Sequence, residues 1–289
     1  LILLSAIWGS AFIAIKISIE TFHPISVASF RLIIGSFFLY TYYRYKKYTF
    51  DLSKKDIILI ILIGLIGNFI PFSLISWSEQ YIKSNTAGLL LSVGPIFTLI
   101  LSHFFTSDDK FSILKFVSIL IGLIGVFLIL DISSIFISNS NNNLYLLPKV
   151  AIIISALGYV VSSILAYNLK KINTMTITTF VTISAAIISI PFMIYAELNY
   201  IVELKALTLL SIIYLGLFPT AIAFQLRFHI ISKAGPIFLS YVAYLIPIFA
   251  IIWGYIFLGE IINITTFIGV IFILAGVFLS QKKLMKKKI

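Results

Sequence analysis

Apolar stretches separated by short polar connections repeat along the whole chain. A helix that crosses a bilayer takes about 20 apolar residues. On that ruler ten spans are expected, at 1–19, 26–43, 56–78, 84–105, 112–131, 149–168, 175–196, 206–228, 235–257 and 263–281. The first reads as a full span rather than the shorter core of a signal peptide. Two runs break their own helical pattern. Span four carries Gly94-Pro95 near its middle, and span nine carries Pro247 within Ile246-Pro247-Ile248-Phe249. A proline inside a helix removes a backbone donor and frees the carbonyl four residues back, Leu91 for Pro95. Lipid offers that carbonyl nothing, so neighbouring helices, the hydroxyl of Ser92 or Thr98, or water must satisfy it. Pro95 and Pro247 are therefore expected to be hinges on faces turned toward protein or a solute pathway.

Composition agrees with this pattern. Of 289 residues, 61% are hydrophobic and only 11% charged, and mean hydropathy is +1.13. Soluble domains carry about 25% charged residues. The shortfall makes the chain an all-α polytopic membrane protein.

The net charge of +11 sits in short clusters between the apolar runs, a footprint of membrane topology rather than nucleic-acid binding. On one side lie Arg44, Lys46, Lys47, Lys54 and Lys55, then Lys110 and Lys115, Lys170 and Lys171, Arg227 and Lys233, and finally the tail lysines from Lys282 to Lys288. By the positive-inside rule this side is cytoplasmic and holds both termini. The opposite loops are acidic or polar, with Glu20, Glu79, Glu197, Glu203 and Glu260. The tail 282–289 reads as a topology and anionic-lipid anchor.

The longest connection, 132–148, is rich in Ser and Asn and falls between span five and span six. It divides a first five-helix unit, 1–131, from a second, 149–281. The units echo each other. Gly9 matches Gly158, Gly67 matches Gly216, Pro71 matches Pro219, Pro95 matches Pro247, and Gly125-Val-Phe-Leu matches Gly276-Val-Phe-Leu, all at offsets of 148 to 152 positions. A unit with an odd number of spans must re-enter the membrane upside down, so the expectation is an inverted-topology repeat.

Trp8-Gly9-Ser10-Ala11-Phe12 followed by Lys16, Arg31 in span two, the proline-bearing spans four and nine, and Leu258-Gly259-Glu260 before Gly269 and Gly276 resemble the EamA family of the drug/metabolite transporter superfamily. The resemblance runs over essentially the whole chain. It implies ten helices in two inverted repeats, a bacterial inner-membrane location and export of amino acids or other small metabolites. The chain departs from the pattern in its first half, where Ser107-Asp108 stands in place of the Gly-Glu that ends span nine.

Polar side chains inside spans are costly unless paired or wet, which makes them candidates for solute contact. In span three, Ser73, Ser76, Trp77 and Gln80 share a face that Asn68 continues inward. Packing between helices is the competing reading for the small members. Trp8, Ser10 and Ser92 in the first half, and Tyr159, Gln225, Tyr241 and Tyr244 in the second, complete the expected substrate-binding set. Lys16 and Arg31 lie within about two turns of the outer ends of their spans. They either snorkel to headgroups or act as charged gate residues, with Arg31 paired to Glu20, Glu79 or Asp131 and Lys16 facing the cavity. Arg227 is expected to snorkel at the cytoplasmic end of span eight.

Catalytic chemistry finds little footing. There is no Cys, the three histidines His23, His103 and His229 are far apart without ligand spacing, and no phosphate-binding Gly-rich loop precedes a Lys-Ser or Lys-Thr pair. The expectation is a secondary-active transporter of small molecules without cofactor or metal, working by alternating access and driven by a coupling proton or a counter-solute. A metabolite antiporter or importer is the nearest alternative, and a lipid-handling membrane protein a more distant one.

Overall fold

The computed structural model describes residues 1–49, 51–82, 84–106, 111–129, 146–198, 205–258 and 264–285. Most of the 132–148 connection, Asp131, Glu203, the Ser107-Asp108 and Gly259-Glu260 pairs, and the tail beyond residue 285 lie outside the described residues. Described segments are helical, and no strand occurs among them. In chain order they are α1 (Ile2–Ser18), α2 (Pro24–Tyr45), α3 (Lys54–Ser78), α4 (Ser84–Leu91), α5 (Gly94–Phe105), α6 (Ile113–Ile129), α7 (Leu146–Asn168), α8 (Thr174–Glu197), α9 (Ala206–Ser240), α10 (Val242–Leu258) and α11 (Ile264–Met285). By length and composition, α2, α3, α7, α8 and α9 are each able to cross a membrane, whereas α1, α5 and the apolar parts of α6 and α11 are shorter.

Local sequence sets several of these ends. His23 Nδ1 accepts from the Ile25 amide ahead of Pro24, Ser53 and Asp56 form a reciprocal capping box at the start of α3, and Asn173 caps α8 through the Met175 amide. Gly235, at φ 84°, ends the regular part of α9 in a conformation that L side chains rarely adopt, and Pro236 restarts the helix.

The surface is apolar, and the largely apolar interior carries many hydroxyls between its helices. Phe37, Phe104, Ile187, Tyr195, Leu210 and Phe278 are exposed, while Ser5, Ser26, Ser155, Thr178, Thr182 and Ser189 are buried. Most of the buried hydroxyls donate to a carbonyl three or four residues back on their own helix, as Ser18 does to Ala14 and Thr182 to Thr178. They are thereby satisfied without water. Small residues let backbones approach where lipid gives no hydrophobic drive between helices. The close crossing of α6 and α11 shows this most clearly. A Cβ at Gly125 would stand 2.6 Å from the Gly269 carbonyl oxygen, and one at Gly276 would stand 2.6 Å from that of Ser118.

Helices of the first half pack on helices of the second: α2 on α8, α3 on α7, α1 on α9 and α10, and α6 on α11. In both α3 and α9 the helix widens into π-helical turns, over Leu65–Phe69 and Gly216–Ile222. Such turns loosen the ordinary ladder and recur at functional sites.

Pro95 and Pro247 are both buried, but they act differently from a pair of kinks. At Pro95 the helix ends outright: Ser92 and Val93 form a turn, and Pro95 sits in the first turn of α5, where its missing N–H costs nothing. At Pro247 the helix runs on through α10. The interruption in that half comes earlier, at Gly235 and again in the turn at Tyr241. The Ala243 carbonyl, which loses its ordinary donor to Pro247, accepts from the Ser92 hydroxyl at 3.2 Å. A parallel repair occurs in α9, where Pro219 frees the Leu215 carbonyl and the Thr220 hydroxyl donates to it at 2.8 Å.

Candidate functional site

A cavity of about 910 Å³ of unfilled space, its open end included, lies where these interruptions meet. Both halves line it: α1 with Trp8 and Phe12, α2 with Arg31, α3 with Phe72, α5 with Pro95 and Thr98, α7 with Tyr159 and Ser163, α9 with Phe224, Arg227 and Pro236, and α10 with Ala243. Most of the wall is apolar or aromatic. Its polar members are Arg31, Thr98, Tyr159, Ser163, Arg227 and Ser240, and two of them are guanidinium groups.

Arg31 is 3% exposed and Arg227 1%. Arg31 Nε donates to the Thr220 hydroxyl at 3.0 Å, and its guanidinium lies 3.7 Å over the Phe72 ring. Thr220 in turn donates to the carbonyl that Pro219 freed, so one hydroxyl joins a helix defect to a buried cation. Arg227 Nη2 donates to the Ser162 and Ser163 hydroxyls and to the Tyr159 carbonyl, and its guanidinium is flanked by the rings of Tyr159, Phe224 and Phe228. Nη1 of Arg227 is buried and has no partner. Neither arginine forms an ion pair among the described residues. Tyr159 stands within electrostatic reach of both.

Of the side chains singled out from sequence, Trp8, Arg31, Pro95 and Tyr159 are brought together in this cavity. Trp8 is fixed by donating its indole N–H to the Pro219 carbonyl at 3.1 Å. The others lie elsewhere. Ser10 shares a hydrogen bond with the Tyr214 hydroxyl. Ser92 occupies the turn before Pro95, bonded to Gly88 and Ala243. Gln225 uses its amide to hold Thr174 and Thr178 of α8, a bond between helices. Tyr241 and Tyr244 point to the opposite side of their segment. The Tyr244 ring lies against Gly122 and its hydroxyl donates to the Ile119 carbonyl at 3.1 Å, so these tyrosines join the α6, α10 and α11 cluster instead of forming a solute slot. Pro247 is outside the lining. At the C-terminal end of α3, Trp77 packs against Tyr81 and Gln80 is exposed. Asn68 is buried in the π-helical turns with neither amide atom bonded, and the Ser73 and Ser76 hydroxyls are likewise unpartnered.

The charged gate takes a different form from the one expected. Arg31 meets a hydroxyl and a ring rather than a carboxylate, and Lys16 is an exposed side chain whose Nζ donates to the Glu79 main-chain oxygen at 2.8 Å. Glu79, one residue beyond the end of α3, is fully buried and neither carboxylate oxygen has a partner in hydrogen-bond geometry. Burial raises its carboxyl to about 8, an effect softened by the Lys16 charge and by nearby Ser84.

Arg227 is the cavity-lining side chain that the spacing of polar residues missed. A span ending at residue 228 would leave it at the membrane surface, but the helix continues to Gly235, and Arg227 is carried inside. The signal was present: no residue between Phe228 and Gly235 is a helix breaker.

A lipid-facing helical bundle with a cavity at its helix breaks has the architecture of a polytopic membrane transporter. The chain belongs to the EamA-like transporter family, whose model matches residues 1–131 and 144–281. It is 28% identical over 286 residues to an uncharacterized transporter of Bacillus subtilis (strain 168), YdfC, covering 98% of this chain and 90% of that one. To an uncharacterized transporter of Archaeoglobus fulgidus it is 26% identical over 277 residues, covering 96% and 95%. A solved crystal structure, titled only as that of a protein, shares the fold with a TM-score of 0.76 at 17% identity, covering 96% of this chain and 94% of that one.

Proposed function

We propose that this protein is a secondary-active exporter of small metabolites, in which two inverted five-helix units rock about the central cavity. Support comes chiefly from one observation: the cavity is shared by the two halves and lies where α4 gives way to α5 and α9 to α10. A rigid helix resists bending, whereas the turns at Ser92–Val93 and Tyr241 and the αL glycine at 235 give each half a place to flex. The π-helical turns in α3 and α9, the mutual packing of α2 with α8 and of α6 with α11, and the five matched Gly and Pro positions favour the inverted arrangement. Ten spans with both termini cytoplasmic accord with the apolar runs and with the charge asymmetry of their connections, and a bacterial inner-membrane location is what the family resemblance implies. A coupling proton or a counter-solute supplies the drive, and Glu79, buried at the outer edge, is the group best placed to hold such a proton.

The test is uptake into inside-out vesicles, or flux across proteoliposomes, of a panel of labelled metabolites. Saturable movement of at least one compound, accelerated by a pH gradient or by unlabelled solute on the far side, is expected. Lipid scrambling without solute movement would replace this reading with the lipid-handling one.

A further inference from the structure

We infer that the cavity is built for a solute bearing an anionic group, a small carboxylate with an apolar or aromatic body, bound between Arg31 and Arg227. This rests on the transport reading above and narrows its substrate class. Two guanidinium groups sit in the cavity wall, almost fully buried, and no carboxylate pairs with either among the described residues. Burying an unpaired charge is expensive, and such charges in membrane proteins are retained where a ligand or partner completes them.

The protein's own contacts hold the two groups in place without neutralising them. Each donates to a hydroxyl that passes its own proton to a main-chain carbonyl: Arg31 through Thr220 to Leu215, and Arg227 through Ser162 to Tyr159. Stacking does the rest, with Phe72 under Arg31 and Phe224 beside Arg227. Arg227 Nη1 still lacks an acceptor, and the Tyr159 hydroxyl is a further donor on the same wall with no hydrogen bond of its own among the described residues. Donors therefore converge where the cavity has no acceptor charge, and a planar carboxylate suits guanidinium geometry. The remaining wall, with Trp8, Phe12, Phe72 and Phe224, suits an apolar body.

The experiment compares matched pairs on the purified full chain: acetate, 3-phenylpropionate and indole-3-acetate, each against its neutral amide. Binding is read by ligand-dependent melting and by competition, and movement by flux in proteoliposomes. At least one carboxylate is expected to bind about tenfold or more tightly than its amide. That ratio should fall toward one in Arg227→Gln and in Arg31→Gln, while Arg227→Lys retains part of it. The wild-type ratio alone decides the matter if both glutamine variants fail to fold. Amides bound or moved as well as carboxylates, or no carboxylate in the panel preferred, would overturn the anion site. Transport of amides would at the same time leave the transporter reading intact. Conversely, an arginine-dependent preference without flux of any compound would keep the site and remove transport.

Discussion

Removing the Ser92 hydroxyl should loosen the junction between the two broken helices, by an amount that depends on Pro247. Ser92 Oγ lies 2.9 Å from the Gly88 carbonyl and 3.2 Å from that of Ala243, so one proton serves both. Gly88 keeps the option of an ordinary helical donor. Ala243 does not, because the residue four positions on is Pro247. A buried acceptor left without a donor costs about 1–3 kcal/mol, and sharing of the proton puts Ser92→Ala near the lower end, about 1 kcal/mol. In a Pro247→Ala background the restored N–H takes over the Ala243 carbonyl, and the same Ser92→Ala change should then cost close to nothing. Equilibrium unfolding in mixed micelles, run as a double-mutant cycle, reads the difference directly. A coupling of about 1 kcal/mol is expected, and additivity within about 0.3–0.5 kcal/mol would refute the repair of one helix's defect by the other.

Other outcomes follow from the same structure. Gly276→Val forces a side chain into the Ser118 carbonyl and the Gly122 amide, backbone atoms that cannot rotate away, and should cost about 1–3 kcal/mol, seen as a lower melting temperature in detergent. A melting curve unchanged from wild type would mean that α6 and α11 cross less closely. Trp8→Phe deletes the bond to the Pro219 carbonyl together with one ring of the indole, so a loss of at least about 0.5–1.5 kcal/mol is expected on unfolding, and a stability equal to wild type would show that the bond contributes nothing. Glu79 holds its proton up to about pH 8 in the folded chain, whereas the unfolded chain releases it in the ordinary carboxylate range. Its contribution is thus fully present below that range, is lost as pH rises toward 8, and is constant above. Glu79→Gln should flatten that slope in melting temperature against pH; a slope identical to wild type would assign it to another group.

The helical, membrane-embedded class was legible because a bilayer imposes a length on apolar runs, and such runs recur along the chain. Prolines were legible as places where a carbonyl needs a donor, and at Ala243 the donor is Ser92, one of the hydroxyls expected for that role beside Pro95. Less readable was which side of a segment faces the void. Tyr241 and Tyr244 lie within a turn of each other beside a break, yet both enter the α6 and α11 cluster, because Gly122 leaves a ring-sized space there that only the tertiary fold reveals. Gln225 and Ser10 look like solute contacts by polarity and prove to bind Thr174, Thr178 and Tyr214. Arg227 was hidden by a helix running past its expected end. Side-chain polarity marks a position as special; only packing decides whether a helix or a solute satisfies it.

The central claim, a cavity that opens in turn to each side of the membrane, is tested most directly at Val160, which lines it from α7. The chain contains no Cys, so Val160→Cys introduces a single thiol of nearly the same volume. Its labelling by a polar, membrane-impermeant reagent is measured in vesicles of known orientation, applying the reagent to one face at a time, with Ile187→Cys on the exposed surface of α8 as the lipid-facing control. The account predicts that the Val160→Cys protein is modified from both faces and the Ile187→Cys protein from neither. Access to the cavity thiol from one face only, or from no face at all, would contradict it.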